Sequence, residues 1–437
     1  MKSTKLHISF KFLSFIFNKK ILLLAVLVCV RNIAVADDSL MASGNAVTSW
    51  NAVAMQVVPV DPGALLDSRA FAIMHAAVHD AVNGVKRRYQ PYTANLSSPG
   101  ASAEAAIAAA SRDVLVALSP SQQTAIEFAY AAALLAIPDG AAKDEGIALG
   151  QQSAAANLAR RLGDGADTAS GPAYVPTGEP GDYDFTPPFD GKPFGPIALF
   201  PGWGNVTPFA IDLADHQLDG PDALDSHEYA RDFNLVKSIG RLESRSRGRE
   251  KTDIALFWFE LSPTGWNRIA NTILVQENAD VWKSARVMAL VNFALADGYI
   301  AGFDAKYDFR YWRPITAIRR AAEDGNDATT ADESWLPLHA PTFYIPPVPD
   351  YPSTHTVLGA AAAEVLIRNF GDRVSFDATS TTLPGVTRRY RSFTQAAREN
   401  GLSRVYGGIH FLRAVEDGFK QGKGIGRAVS QLLPYLE

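Results

Sequence analysis

Runs of alanine and other small apolar residues at helical spacing, punctuated by proline and glycine, dominate this 437-residue chain. A chain patterned in that way has few ways to bury its apolar surface other than by stacking helices. Residues 67–85 open on Asp67-Ser68, carry an apolar stripe and approach Gly84, which predicts a helix. Residues 101–118, 121–136 and 144–162 repeat the pattern, divided by Ser119-Pro120 and Ile137-Pro138. From about 163 to 222 the periodicity stops. Gly, Pro, Asp and Thr recur there, and the interspersed Phe and Tyr predict an ordered irregular segment draped over the helices. Helical signals return at 226–242, 249–261, 264–276, 281–303 and Arg313–Ala322, followed by an Asp- and Pro-rich loop at 323–350. Ser353 stands where an N-cap belongs, ahead of an apolar helix from Thr356 to Asn369 closed by Gly371. Residues 388–400 and 408–434 complete the helices, and a short strand pair is expected only near 374–387. The expectation is an all-α bundle protein, with helical halves at 37–222 and 223–437 joined through the irregular segment.

Three short stretches in the second half carry chemistry. They are Lys306-x6-Arg313-Pro314, Pro352-Ser353-Thr354-His355 and Ser403-Arg404-x5-His410. Together they supply three fixed cations, a hydroxyl and two imidazoles, a set suited to a tetrahedral oxyanion. Arginine forks match oxyanion geometry bidentately, and lysine adds a point charge. Ser353 can donate through its hydroxyl, and backbone N–H groups at the following helix start add dipolar donors. His355 and His410 suit the two apical positions, one bonded to the central atom and one acting as acid or base. Each stretch alone is more often a helix end or an incidental capping serine. All three in this order within residues 306–410 point to a site for phosphate or its analogue vanadate.

In these motifs the chain resembles the superfamily that joins vanadium-dependent haloperoxidases to type 2 phosphatidic-acid phosphatases. The aromatics around the first motif, in Leu295–Pro314, are similar to the haloperoxidase branch, as are Pro346–Pro352 and Tyr406–His410. The resemblance implies a helical bundle of the vanadium chloroperoxidase / type 2 phosphatidic-acid phosphatase type. It implies vanadate in a cradle of Lys306, Arg313, Ser353, Thr354 and Arg404, with His410 as axial ligand to vanadium and His355 assisting proton transfer. Hydrogen peroxide would then oxidise halide to hypohalous acid, which passes to an organic acceptor. Phosphate fits the same groups. The alternatives are an exported acid phosphatase with His410 as nucleophile, and an inactive oxyanion-binding homologue. Two residues depart from the family pattern: Thr354 replaces a glycine, and Ala414 stands where an aspartate usually follows the last histidine. Asp417 is the next acid on that helical face and becomes the candidate to orient His410. Asp297, nine residues before Lys306, either pairs with Lys306 or Arg404 or faces solvent. Val348, five before Ser353, replaces a ring in the halide region.

The first 36 residues read as a secretory signal peptide. Five lysines precede the apolar run Ile21–Val30, and Ala34-Val35-Ala36 gives an A-x-A cleavage site. Cys29, the single cysteine, falls inside it, so the mature chain needs no disulfide. Removal of these residues, with six basic and no acidic side chains, takes the formal charge from −5 to −11. Such a chain is a poor candidate for non-specific nucleic-acid binding. No later segment reads as a membrane span, which argues against a multi-pass lipid phosphatase. The expectation is a soluble protein exported to the periplasm or medium; oligomeric state has no signature in the chain. His75 and His79, four apart, carry metal-ligand spacing but no third motif, so buried hydrogen bonding is the stronger expectation. His216, His227 and His339 lie in loop-like contexts and are expected at the surface.

Overall fold

The computed structural model describes residues 44–60, 63–191, 194–340 and 344–436; residues 1–36, expected to be a signal peptide and containing Cys29, lie outside them. The described residues form α1 (Ala46–Val57), α2 (Ala64–Val85), α3 (Ala103–Leu118), α4 (Gln123–Leu135) and α5 (Ala141–Arg160). After the irregular segment come α6 (His227–Ile239), α7 (Arg249–Phe257), α8 (Ser262–Gln276), α9 (Val281–Phe309) and α10 (Pro314–Arg319). The chain closes with α11 (Thr354–Phe370), α12 (Phe393–Tyr406) and α13 (Leu412–Val429). The all-helical architecture therefore stands, with differences at element ends. Helix α1 had no clear sequence signal, because its capping box pairs Asn45 with Thr48 instead of the usual Ser or Thr with Glu. Strands Phe376–Thr379 and Thr387–Tyr390 pair antiparallel, so the helix expected from 388 begins only at Phe393.

Helix α9 organises the fold. It packs against α2, α11 and α13. Its length and mean hydropathy of 1.3 suffice to cross a bilayer, contrary to the expectation that no later segment would qualify. However, 94% of that window is buried inside the protein, so the apolarity on every face serves packing against neighbouring helices. The helix runs six residues past its expected end, to Phe309, and so carries Lys306. Arg310 then adopts a left-handed conformation (φ 51°, ψ 33°) and stops it.

The irregular segment is tied down by specific bonds. Asp164 lies 2.8 Å from both Arg69 and Arg161. Tyr183 N–H donates to Arg310 C=O at 2.6 Å and Trp312 N–H to Gly181 C=O at 2.9 Å. The segment thus clamps the turn between Lys306 and Arg313.

Candidate active site

Lys306, Arg313, Ser353, Arg404 and His410 are all at least 96% buried, and they come from different places in the chain. Lys306 is on the last turns of α9, Arg313 precedes α10, Ser353 precedes α11, Arg404 ends α12 and His410 precedes α13. The turn from Arg404 to His410 depends on Gly408. Its φ is +77°, and an added Cβ would fall 2.3 Å from Gly240 C=O, so only glycine suits this position.

The buried cations are held from behind by carbonyls. Lys306 Nζ donates to Pro349 C=O (2.6 Å) and Asp350 C=O (2.9 Å), which leaves one of its three donors. Arg313 donates to the carbonyls of Val348 (2.7 Å), Ile409 (2.7 Å) and Pro346 (3.2 Å). Arg404 Nη1 donates to Trp258 C=O at 3.0 Å, and its Nε is buried with no partner. Burial first, and then Arg313, lower the lysine well below its usual range. The same causes bring Arg404 down to about 9. Three cations in this space repel one another and retain unused donors, and a bound oxyanion would satisfy both.

Ser353 occupies the N-cap position by backbone geometry, yet its side chain does not cap α11. Its oxygen instead accepts from Thr356 Oγ1 at 2.9 Å, which leaves the Ser353 O–H free to donate. Thr354 begins the helix with an ordinary negative φ, so its N–H belongs to the first turn, which has no intrahelical acceptors. The threonine methyl packs over Gly302 of α9, where an added Cβ would meet Cγ2 at 2.2 Å. Thus a glycine on the facing helix makes room for the side chain that replaces the motif glycine.

The group that faces His410 is Asp350, which sequence reading did not single out. Asp350 Oδ1 lies 3.0 Å from His410 Nδ1, without the alignment of a full hydrogen bond, and 3.7 Å from Arg313 Nη1. On the other side of the ring, Arg313 Nη1 lies 3.0 Å from Nε2. Arginine only donates, so Nε2 is the lone-pair nitrogen and Nδ1 carries the proton toward Asp350. Burial, only partly offset by Arg313 and Lys306, lifts the Asp350 carboxyl to about 7. Its place three residues before Ser353 was the available signal, but nothing in the sequence orients a loop carboxylate. Asp417 does not orient His410. It accepts from Tyr351 Oη at 2.6 Å and pairs with Arg413 at 2.8 Å. Asp297 neither pairs with a site cation nor faces solvent. It is fully buried and accepts Phe209 N–H (2.6 Å) and Ala210 N–H (2.8 Å), pinning the irregular segment to α9.

His355 is partly exposed and contacts Ser262 Oγ through Nδ1 at 2.9 Å, while its Nε2 is shielded and forms no hydrogen bond of full geometry. Burial and then Arg404 hold it well below the usual imidazole range. His410 is lowered in the same way, with burial first and then Arg313, Lys306, Arg404 and His355.

The remaining histidines are accounted for as follows. His75 Nε2 meets Asn51 Oδ1 at 3.0 Å and His79 Nε2 meets Gln90 C=O at 3.0 Å, so both hydrogen-bond inside the bundle. Among the described residues no group of three or more His, Cys, Asp or Glu is placed to hold a metal ion. His227 is exposed and His216 half-buried, but His339 is fully buried, contrary to expectation. Its ring packs 4.4 Å from that of Phe259, which in turn lies 5.4 Å from the Arg404 guanidinium.

Residues 286–436, which contain every site residue from Lys306 to His410, match the family model described as the VCPO second helical-bundle domain. The vanadium chloroperoxidase of Curvularia inaequalis is 26% identical over 84% of this chain and 78% of its own length. A solved structure described as the first bacterial vanadium dependant iodoperoxidase aligns with a TM-score of 0.76 at 26% identity, covering 90% of this chain and 96% of its own. A holo-type bacterial vanadium-dependent chloroperoxidase aligns at 0.66 and 18% identity, covering 86% and 92%, and supports the fold. In its three gathered motifs, its matched bundle domain and these relatives, the chain is similar to the vanadium-dependent haloperoxidases.

Proposed function

We propose that this chain is a vanadate-dependent haloperoxidase that uses hydrogen peroxide to oxidise halide to hypohalous acid, which then reacts with an organic acceptor. The observation that carries the reading is a buried cluster of three cations in which Lys306 keeps one donor unused and Arg404 Nε has no partner. Unused donors around a positive centre fit a compact oxyanion with several acceptor oxygens. Lys306, Arg313, Arg404, the Ser353 hydroxyl and the amides at Thr354 and His355 would hold its oxygens. His410 Nε2, whose lone pair accepts from Arg313 Nη1 here, is the nitrogen that would ligate vanadium once that contact is exchanged. Vanadate bound there supplies a Lewis-acidic centre that activates peroxide toward halide.

The chain's own contribution is preorganisation. Carbonyls of Pro346, Val348, Pro349, Asp350, Trp258 and Ile409 fix the cations before anything binds. Asp350 keeps the proton of His410 on Nδ1. His355 Nε2 is positioned to hold or release a proton inside the cradle. Peroxide, halide and acceptor are small molecules, in keeping with a site enclosed within the bundle. The basic region, apolar run and A-x-A site of residues 1–36 support export, with activity in the periplasm or medium.

Phosphate fits the same donors, so a monoester phosphatase with His410 as nucleophile would use the same residues. The relatives' chemistry favours the peroxidase. A paired assay on purified protein tests this: iodide oxidation by peroxide after vanadate loading, and phosphate release from a monoester. Vanadate-dependent iodide oxidation is expected. Efficient monoester turnover with a trapped phosphohistidine at His410, and no iodide oxidation, would overturn the reading.

A further inference from the structure

Ser262 opens α8 but does not cap it. Leu261 holds the N-cap position, and no side chain supplies a cap bond. A serine at a helix start commonly turns its hydroxyl to an amide of the first turn. Here Oγ lies 2.9 Å from His355 Nδ1, a residue 93 positions away. Ser262 is 3% exposed and His355 partly exposed, so the contact is part-buried. Across the ring, His355 Nε2 is shielded and forms no hydrogen bond of full geometry, although the Trp258 backbone interacts with the ring. The same α7–α8 connection holds Arg404 through the Trp258 carbonyl. One short stretch therefore positions two members of the cradle.

The two imidazoles are backed by different chemistry. A carboxylate only accepts, so Asp350 favours N–H at His410 Nδ1 and leaves Nε2 as a lone pair. A hydroxyl both donates and accepts. When Ser262 O–H donates to His355 Nδ1, Nε2 carries the proton. When Nδ1–H donates to Oγ, Nε2 is a base. We propose that Ser262 is the positioning residue of His355, aiming Nε2 at the cradle and allowing it to serve as proton donor or proton acceptor. The need for both forms rests on the peroxidase reading. Hydrogen peroxide, halide and one proton give hypohalous acid and water, so a proton must reach the oxygen that leaves as water.

Ser262→Ala and Ser262→Thr, each with labelled ring nitrogens, test the role. Three quantities are measured: vanadate affinity by equilibrium dialysis, kcat and KM for peroxide in iodide oxidation, and the His355 ring-nitrogen resonances of vanadate-free protein. In Ser262→Ala, kcat should fall about tenfold or more, with vanadate affinity and KM within about threefold. The His355 Nδ1 resonance should move while those of His410 stay in place. Ser262→Thr keeps a hydroxyl and should recover kcat to within about threefold of wild type. Full kcat in Ser262→Ala, an unmoved His355 resonance, or vanadate affinity falling in step with kcat would overturn the proposal. So would a Ser262→Thr variant that binds vanadate normally but recovers no kcat. A wild-type protein that oxidises no iodide, in which the His355 resonance still responds to Ser262→Ala, would sink the peroxidase reading and leave the positioning contact standing.

Discussion

Replacing Arg404 with alanine separates what the cradle costs the folded chain from what it gives to binding. Arg404 is 4% exposed, and burial followed by repulsion from Arg313 lowers it from 12.5 to about 9. At about 1.4 kcal/mol per unit, holding that charge inside the protein at neutral pH opposes folding by roughly 4–5 kcal/mol. Truncation also removes a packed aliphatic stem and the bond to Trp258 C=O, roughly 2–4 kcal/mol in the opposite direction. The two nearly cancel, so the vanadate-free variant should lie within about 2 kcal/mol of wild type. Binding has no such compensation. Two charge-assisted hydrogen bonds at about 1.5 kcal/mol or more each are lost, which weakens vanadate binding about a hundredfold or more. Urea unfolding with and without vanadate, alongside equilibrium dialysis, reads both quantities. Vanadate at a hundred times its Kd should stabilise wild type by about 2.7 kcal/mol and barely affect the variant. Undiminished affinity would remove Arg404 from the site. A vanadate-free variant destabilised by about 4 kcal/mol or more would show that its charge is better compensated than this geometry indicates.

Asp350→Asn replaces the carboxylate beside His410 Nδ1 and should weaken vanadate retention about tenfold or more, while Asp417→Asn should leave it within about threefold; equal effects in dialysis would contradict the assignment of Asp350. Burial lifts Asp297 to about 7, so between about pH 4 and 7 the unfolded chain releases a proton that the folded chain keeps, and this group's contribution to stability falls as pH rises. Asp297→Asn should flatten that slope by up to about 4 kcal/mol across the window, and an unchanged difference between urea unfolding at pH 4.5 and pH 8 would refute it. Gly302→Ala sets a methyl group against Thr354 Cγ2 and should destabilise the protein by about 1–3 kcal/mol, whereas the double variant with Thr354→Gly should recover much of that loss. Thermal unfolding of the set checks the coupling, and additive losses would place Thr354 elsewhere.

The chain by itself determined the helical architecture, because 3.6-residue periodicity and its proline and glycine stops are local properties that packing merely exploits. It also singled out the cationic residues that the fold gathers into one buried cluster, since residue type and spacing survive as a pattern even where the fold is unknown. The partners of those residues lay beyond its reach. Asp350, Ser262 and the Trp258 carbonyl approach His410, His355 and Arg404 across 60, 93 and 146 residues, and no short-range pattern encodes such contacts. The same limit misplaced Asp297 and Asp417: helical spacing gives the face on which an acid lies, whereas the neighbouring segment decides whether that face meets a cation, an amide or a tyrosine. Thr354 shows it most plainly. Its departure from the motif raised a doubt in one dimension, and Gly302, 52 residues earlier on α9, resolves it in three. Close packing makes a side chain's fit depend on whatever backbone the fold sets opposite it.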